Sequence, residues 1–228
     1  MVVTKLSRKV EFQNPPPDHI WVGMNRRFFM SALAATPFVA TGRMALAQNA
    51  VVDAVNTYLT GLTTMIAPFT QESSDGSVAT GLFYLDKPGK MRFEYDPPSP
   101  ALIITDGEVL AIYDKKSTRS AQVYPQSSTP LSLLTRNDID VTQSKFVRLI
   151  ETRNGQIQVV LFDPEHTDRG TMRLIFDQNP MELRQWVITE GNGLESVVRL
   201  GRLTKNISID PFLFSVVRHN QLQRDGQL

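Results

Sequence analysis

The side chains that could break or make bonds are few. The chain holds three histidines and no cysteine, so a thiolate metal site and a cysteine nucleophile are both excluded. A hydrolase needs a nucleophile, a base and an orienting group. His19 falls in a segment expected to be lost on export, and His219 sits in a polar tail that reads as solvated. His166 lies in Asp163-Pro164-Glu165-His166-Thr167-Asp168, a polar hairpin loop by composition. As a metal site it would be an acidic cluster with one imidazole at no recognised spacing. No Gly-x-Ser-x-Gly, phosphate-binding loop or dinucleotide fingerprint is found. The expectation is a protein that is not an enzyme and that holds no cofactor or metal.

What the chain offers instead is apolar surface in a regular pattern. Met91, Phe93 and Tyr95 alternate with Arg92, Glu94 and Asp96, and Met172, Leu174 and Phe176 alternate with Arg173 and Asp177. Alternation of this kind buries one face of a strand and leaves the other wet. Gly81, Phe83 and Leu85 share a face on an earlier strand. These are candidates for binding something apolar; plain core packing is the competing reading.

The elements that must carry these residues are mostly strands. Asn49 to Pro68 predicts one long helix, with Val51, Val52, Val55, Tyr58, Leu59, Leu62, Met65 and Ile66 in a single stripe, ended by Pro68. Strands follow over 69–72, 78–86, 91–95, 101–105 and 108–114, then a weaker one over 120–124. Pro88-Gly89 predicts a type II turn, and Asp106-Gly107 a hairpin. Thr129-Pro130 opens a short helical segment with Leu131, Leu133 and Leu134. The meander resumes over 145–153 and 156–163, joined by Asn154-Gly155 as a type I′ turn. Three more strands, 170–177, 182–190 and 194–205, complete about eleven. So many strands hiding one face must curl around something. Few and short helices would leave the concave side under-filled, which suits an apolar ligand.

Met24 to Ala47 predicts an export signal. Arg26-Arg27 precede the apolar run Phe28 to Ala40, and Ala45-Leu46-Ala47 offers a small-x-small cleavage site. Arg26-Arg27-Phe28-Phe29 also resembles a twin-arginine motif, so general secretion and twin-arginine export both stay open. The organisation expected is therefore a polar extension over 1–23, a signal over 24–47 and one domain over 48–228. That domain would be soluble in the periplasm. The first 47 residues hold six of the 24 Lys/Arg and two of the 23 Asp/Glu. The mature part is thus mildly acidic, which argues against nucleic acid or anionic lipid as a partner held by charge.

Taken in order, several blocks resemble the periplasmic outer-membrane lipoprotein carrier family, LolA. They are Phe69-Thr70-Gln71, Gly81-x-Phe83, Lys87-Pro88-Gly89-Lys90-Met91-Arg92-Phe93-x-Tyr95 and Pro98. Ile103-Ile104-Thr105-Asp106-Gly107, Ile112-Tyr113-Asp114 and Thr129-Pro130-Leu131 follow. The resemblance implies an incomplete, strongly curved antiparallel β-barrel of about eleven strands with a helical lid over a hydrophobic cavity. It implies acyl chains of lipoproteins as cargo, and an inner-membrane lipoprotein-releasing ABC transporter as donor. A monomer is expected, and a dedicated outer-membrane receptor is left open. The cavity would be lined by Phe69, Phe83, Leu85, Met91 and Phe93 on one side. Ile103, Ile112, Met172, Leu174 and Phe176 would complete it. Lys87 stands where the family often has arginine and would latch the lid with a single point charge in place of a planar fork. Met91 replaces a frequent aromatic. Phe212-Leu213-Phe214 lacks the prolines that tend to follow, which puts a final strand in doubt. A carrier of another lipid (glycolipid or hopanoid) fits the same residues. A regulatory module of envelope-stress signalling fits the fold but resembles a two-domain chain.

Overall fold

A computed structural model describes residues 40–116, 120–137 and 139–226, with backbone alone for 40–48. The polar extension and most of the export signal lie outside the described residues. The described residues begin with a helix, α1 (Ala40–Gly61), followed by β1 (Thr64–Glu72), β2 (Val78–Asp86) and β3 (Lys90–Tyr95). β4 (Ala101–Asp106), β5 (Val109–Asp114) and β6 (Gln122–Pro125) continue the meander. Two short 3₁₀ turns, Gln126–Ser128 and Pro130–Leu133, lead across to β7 (Val147–Arg153) and β8 (Gln156–Phe162). Then come β9 (Thr171–Gln178), β10 (Met181–Thr189), β11 (Glu195–Leu200), β12 (Thr204–Lys205) and the C-terminal helix α2 (Val216–Arg224).

All pairings are antiparallel within one twelve-stranded sheet, in the order β6-β5-β4-β3-β2-β1-β11-β10-β9-β8-β7, with β12 also on β1. The first and last strands of this path remain unpaired with each other, so the barrel is incomplete. Its curvature can be read from two rings. In a flat sheet, four strand spacings would separate β3 from β10 by roughly 19 Å. The rings of Phe93 on β3 and Trp186 on β10 nevertheless lie 6.3 Å apart. The sheet wraps around its apolar face.

The expected helix end fails for an identifiable reason. The helix ends at Gly61, and Met65, Ile66 and Pro68, expected on its stripe or at its end, lie in β1. β1 pairs with β12 at Met65 and Ile66 and with β11 from Phe69 onward. Pro68 therefore sits at the gap between those two partners, where a missing N–H interrupts neither ladder. Its carbonyl accepts from the Gly201 amide at 2.8 Å. A Cβ on Gly201 would stand 2.8 Å from the Pro68 ring, so the crossing needs glycine. The turn at Lys87-Pro88-Gly89 contains a cis bond before Pro88, and Gly89 takes the positive φ (+81°) that the third position of a type II turn requires. Asn154 and Gly155 both have positive φ, as a type I′ turn requires.

α2 covers the outer face of the sheet. Leu102, Ile104, Ala111 and Tyr113 point away from the concave side and pack with Val216 in a separate cluster. Ser215 caps the helix by accepting from the Arg218 amide at 3.1 Å. The Tyr113 hydroxyl donates to Asn220 at 3.0 Å, and Arg92 donates to the Leu213 carbonyl at 3.2 Å. β4 is thereby buried on both faces, which accounts for its unbroken apolar run. His219 is half-buried, where its polar tail suggested full solvation. Its ring packs 4.2 Å from that of Tyr113, and burial lowers its pKa.

Candidate functional site

Register assembles the concave surface in rows. Antiparallel partners lie side by side on one face, and Ala67, Phe83, Phe93, Ile103 and Ile112 are successive partners from β1 to β5. Met65, Leu85 and Met91 form a second row, and Phe69, Gly81 and Tyr95 a third. On the opposite wall Trp186, Leu174 and Val159 run across β10, β9 and β8, and Leu183, Phe176 and Ile157 run beside them. Edge-on aromatic contacts link Phe69 to Phe93 (5.5 Å) and Phe83 to Trp186 (5.2 Å). Phe69, Phe83, Leu85, Met91, Phe93, Met172, Leu174 and Phe176 all belong to one buried cluster. Ile103 packs against that cluster half-buried, and Ile112, its partner on β5, is half-buried at the margin. Arg173 and Glu94 face out, as alternation requires; Arg92 also faces out but is covered by the C-terminal segment.

The concavity is filled by the protein's own side chains, in contrast to the under-filled space expected. Val55 and Leu59 of α1 and Leu62 just after it are buried among the lining residues, with Val51, Val52 and Tyr58 partly so. Tyr58 meets Phe176 edge-on at 5.5 Å. Leu133 and Leu134, from the segment that crosses between the two sheet edges, join the same cluster. The apolar stripe of α1 thus occupies the space that its own sheet encloses. Met65, Met91 and Met172 are fully buried there; their unbranched thioethers can repack around a changed occupant.

α1 is held at its C-terminal end. The last carbonyls of a helix have no partner within it, and here they receive donors from elsewhere. Lys87 Nζ donates to the Leu59 carbonyl at 2.9 Å, and Asn206 Nδ2 donates to the Gly61 carbonyl at 3.0 Å. Further up the helix, Asn56 Oδ1 accepts from the Val141 amide at 3.2 Å. The Lys87 contact lies about one turn before the chain enters β1, so it fixes the angle at which the helix leaves the sheet. Burial of the ammonium lowers its pKa from 10.5 to about 8. Beside it, a rim cavity of about 420 Å³ is lined by Pro88, Gly89, Gly107, Gln126, Ser132 and Thr135. Gln126 Nε2 donates there to the Gly89 carbonyl at 2.7 Å.

Sequence reasoning missed several lining residues, Ala67, Ile157, Val159, Leu183 and Trp186 among them. Trp186 is fully buried, touches both Phe83 and Phe93, and its indole Nε1 has no hydrogen-bond partner. The available signal was a tryptophan in mid-strand, since indoles seldom occupy such places without burying a large area.

A family model for the outer membrane lipoprotein carrier protein LolA matches residues 60–217. The chain belongs to the LolA family. The matched stretch begins in the last turn of α1 and stops at the first residues of α2, so most of both helices falls outside it. Among curated relatives, an outer-membrane lipoprotein carrier protein of Chromobacterium violaceum is 28% identical over 78% of this chain and 88% of its own length. One from Cupriavidus taiwanensis is 27% identical over 85% and 96%. A solved LolA superfamily protein from Nitrosomonas europaea aligns over 72% of this chain and 97% of its own at 8% identity, with a TM-score of 0.39. In this LolA-family chain the incomplete, curved sheet and the helix over its concave face are both present, and no helix of the described residues is long and apolar enough to cross a membrane.

Proposed function

We propose that this chain is a periplasmic carrier that takes the acyl chains of lipoproteins into the space beneath α1 and shuttles them from the inner to the outer membrane. The observation that carries this reading is the apolar stripe of α1 lying in the concavity on a few end-of-helix hydrogen bonds. Such a helix can leave, and what replaces it must be equally apolar.

The energetics suit a hand-over. Withdrawing Val55, Leu59 and Leu62 forfeits roughly 5–9 kcal/mol of burial. A sixteen-carbon acyl chain entering the same space gains roughly 12 kcal/mol at about 0.8 kcal/mol per CH₂. Helix and cargo compete for one surface, so the net affinity is a difference between similar terms and stays low enough for release. The donor would be the lipoprotein-releasing ABC transporter of the inner membrane, with release at the outer membrane.

Mass spectrometry of what co-purifies from the envelope tests the proposal. Acylated lipoproteins are expected. Free glycolipids would move the reading to a carrier of another lipid, and a repeatable protein partner without lipid would move it to a regulatory module.

A further inference from the structure

Trp186 carries a polar atom that the packing of the closed form leaves unused. Its side chain is fully buried on the concave face, and the Nε1–H has no partner. Buried indole N–H groups usually find an acceptor, and a donor left unpaired in an apolar interior is costly. Its neighbours include the rings of Phe83 at 5.2 Å and Phe93 at 6.3 Å, with Leu174 and Val198 alongside in register. None of these supplies a conventional acceptor.

Position adds to the argument. Trp186 sits on β10, the strand against which α1 packs. Withdrawal of α1 therefore uncovers the wall that bears this donor, while the indole itself stays on the sheet. We infer that Trp186 Nε1 is a specificity-determining donor for a carbonyl at the root of an acyl chain, so that the cavity distinguishes acyl esters and amides from plain hydrocarbon. This rests on the acyl-carrier reading above and deepens it. The complementary group must be a neutral acceptor: a neutral indole donor amid phenyl rings would bury an anion without compensating its charge. An ester or amide oxygen meets that condition. Aliphatic chains otherwise offer an apolar cavity nothing but length and volume to read, and one fixed donor gives it a depth mark as well.

The test pairs two probes with two side chains. The probes are a diacylglyceryl-cysteine peptide and its dialkyl-ether counterpart, in which each ester carbonyl is replaced by CH₂. The protein with Trp186 should bind the ester roughly three- to tenfold more tightly, the equivalent of one ordinary hydrogen bond. Trp186→Phe should lose that preference by weakening ester binding more than ether binding. Equal weakening of both probes would make Trp186 a packing residue and overturn the inference, as would a preference that survives the substitution. A parent that binds both probes equally overturns it too, while the carrier reading stands. A parent that binds neither overturns both.

A second measurement needs no variant. Trp186 is the one tryptophan after residue 21, so its indole proton gives a single resonance in the mature protein. It should move downfield on adding the ester probe and not on adding the ether. Upfield or absent movement with the ester would show that the N–H gains no acceptor from it, and the inference fails.

Discussion

Replacing Lys87 tests how α1 is held, and pH is the sharpest lever. In the closed form burial keeps the Lys87 pKa at about 8, against an ordinary 10.5. Once the helix swings away, the amine meets water and returns toward its ordinary value. Between those two values the open form binds more protons than the closed one, so raising pH through that window favours closure. Below about 8 both forms are protonated and little changes. With these two pKa values, going from pH 7 to pH 9 should shift the equilibrium toward closure by about tenfold, or about 1.4 kcal/mol. Since cargo competes with closure, affinity for an uncharged acyl probe should fall by about the same factor. Lys87→Arg keeps the charge, cannot titrate in this range and can bond at two points. It should flatten the pH response and bind lipid more weakly at pH 7. Lys87→Leu leaves the Leu59 carbonyl without its donor in the closed form, at a cost of about 1–3 kcal/mol, so it should retain lipid more firmly and release it more slowly. Fluorescence titration of the probe at the two pH values decides the matter. A parent and a Lys87→Arg variant with the same slope, or affinity that rises with pH, would refute the role given to this amine.

Phe93→Glu puts a carboxylate between Phe83, Phe69 and Trp186, where it lacks partners and costs several kcal/mol; acyl binding should be lost, and binding at the parent's affinity would contradict the cavity assignment. Gly201→Ala sets a methyl 2.8 Å from the Pro68 ring and should lower stability by about 1–3 kcal/mol, read as a shifted denaturant midpoint with unchanged slope. Val216→Ala should cost about 1–2 kcal/mol by loosening α2 from the outer cluster while leaving acyl affinity unchanged, because that cluster faces away from the concavity. Mass spectrometry of the exported protein should find Gln48 at the N-terminus; retention of Met24 in a membrane fraction would contradict cleavage after Ala47.

Local pattern was enough for the strands. Alternation at Met91–Tyr95 and Met172–Phe176 determined which side chains go inward, and Asn154-Gly155 and Asp106-Gly107 determined where the chain reverses, because strand period and turn dihedrals involve only near neighbours. The absence of cysteine and of any nucleophile constellation turned attention from catalysis to apolar binding by composition alone. Order and spacing of the blocks from Phe69 to Leu131 carried the family. Local pattern misled at 62–68, where a helical stripe continues into residues that β2 and the distant β12 claim for β1; ladder pairing on both sides outweighed a periodicity of a few residues. The same limit hid α2 on the outer face and His219 against Tyr113, since nothing in a polar C-terminal tail says which sheet face will receive it. Only the curl of the sheet brings Trp186 to Phe83 and Phe93, and only the docking of α1 sets Lys87 on the Leu59 carbonyl and fills the concavity from within. That the helix occupies this surface is a property of the closed fold, because a sequence encodes how apolar a face is and the tertiary structure decides what lies upon it.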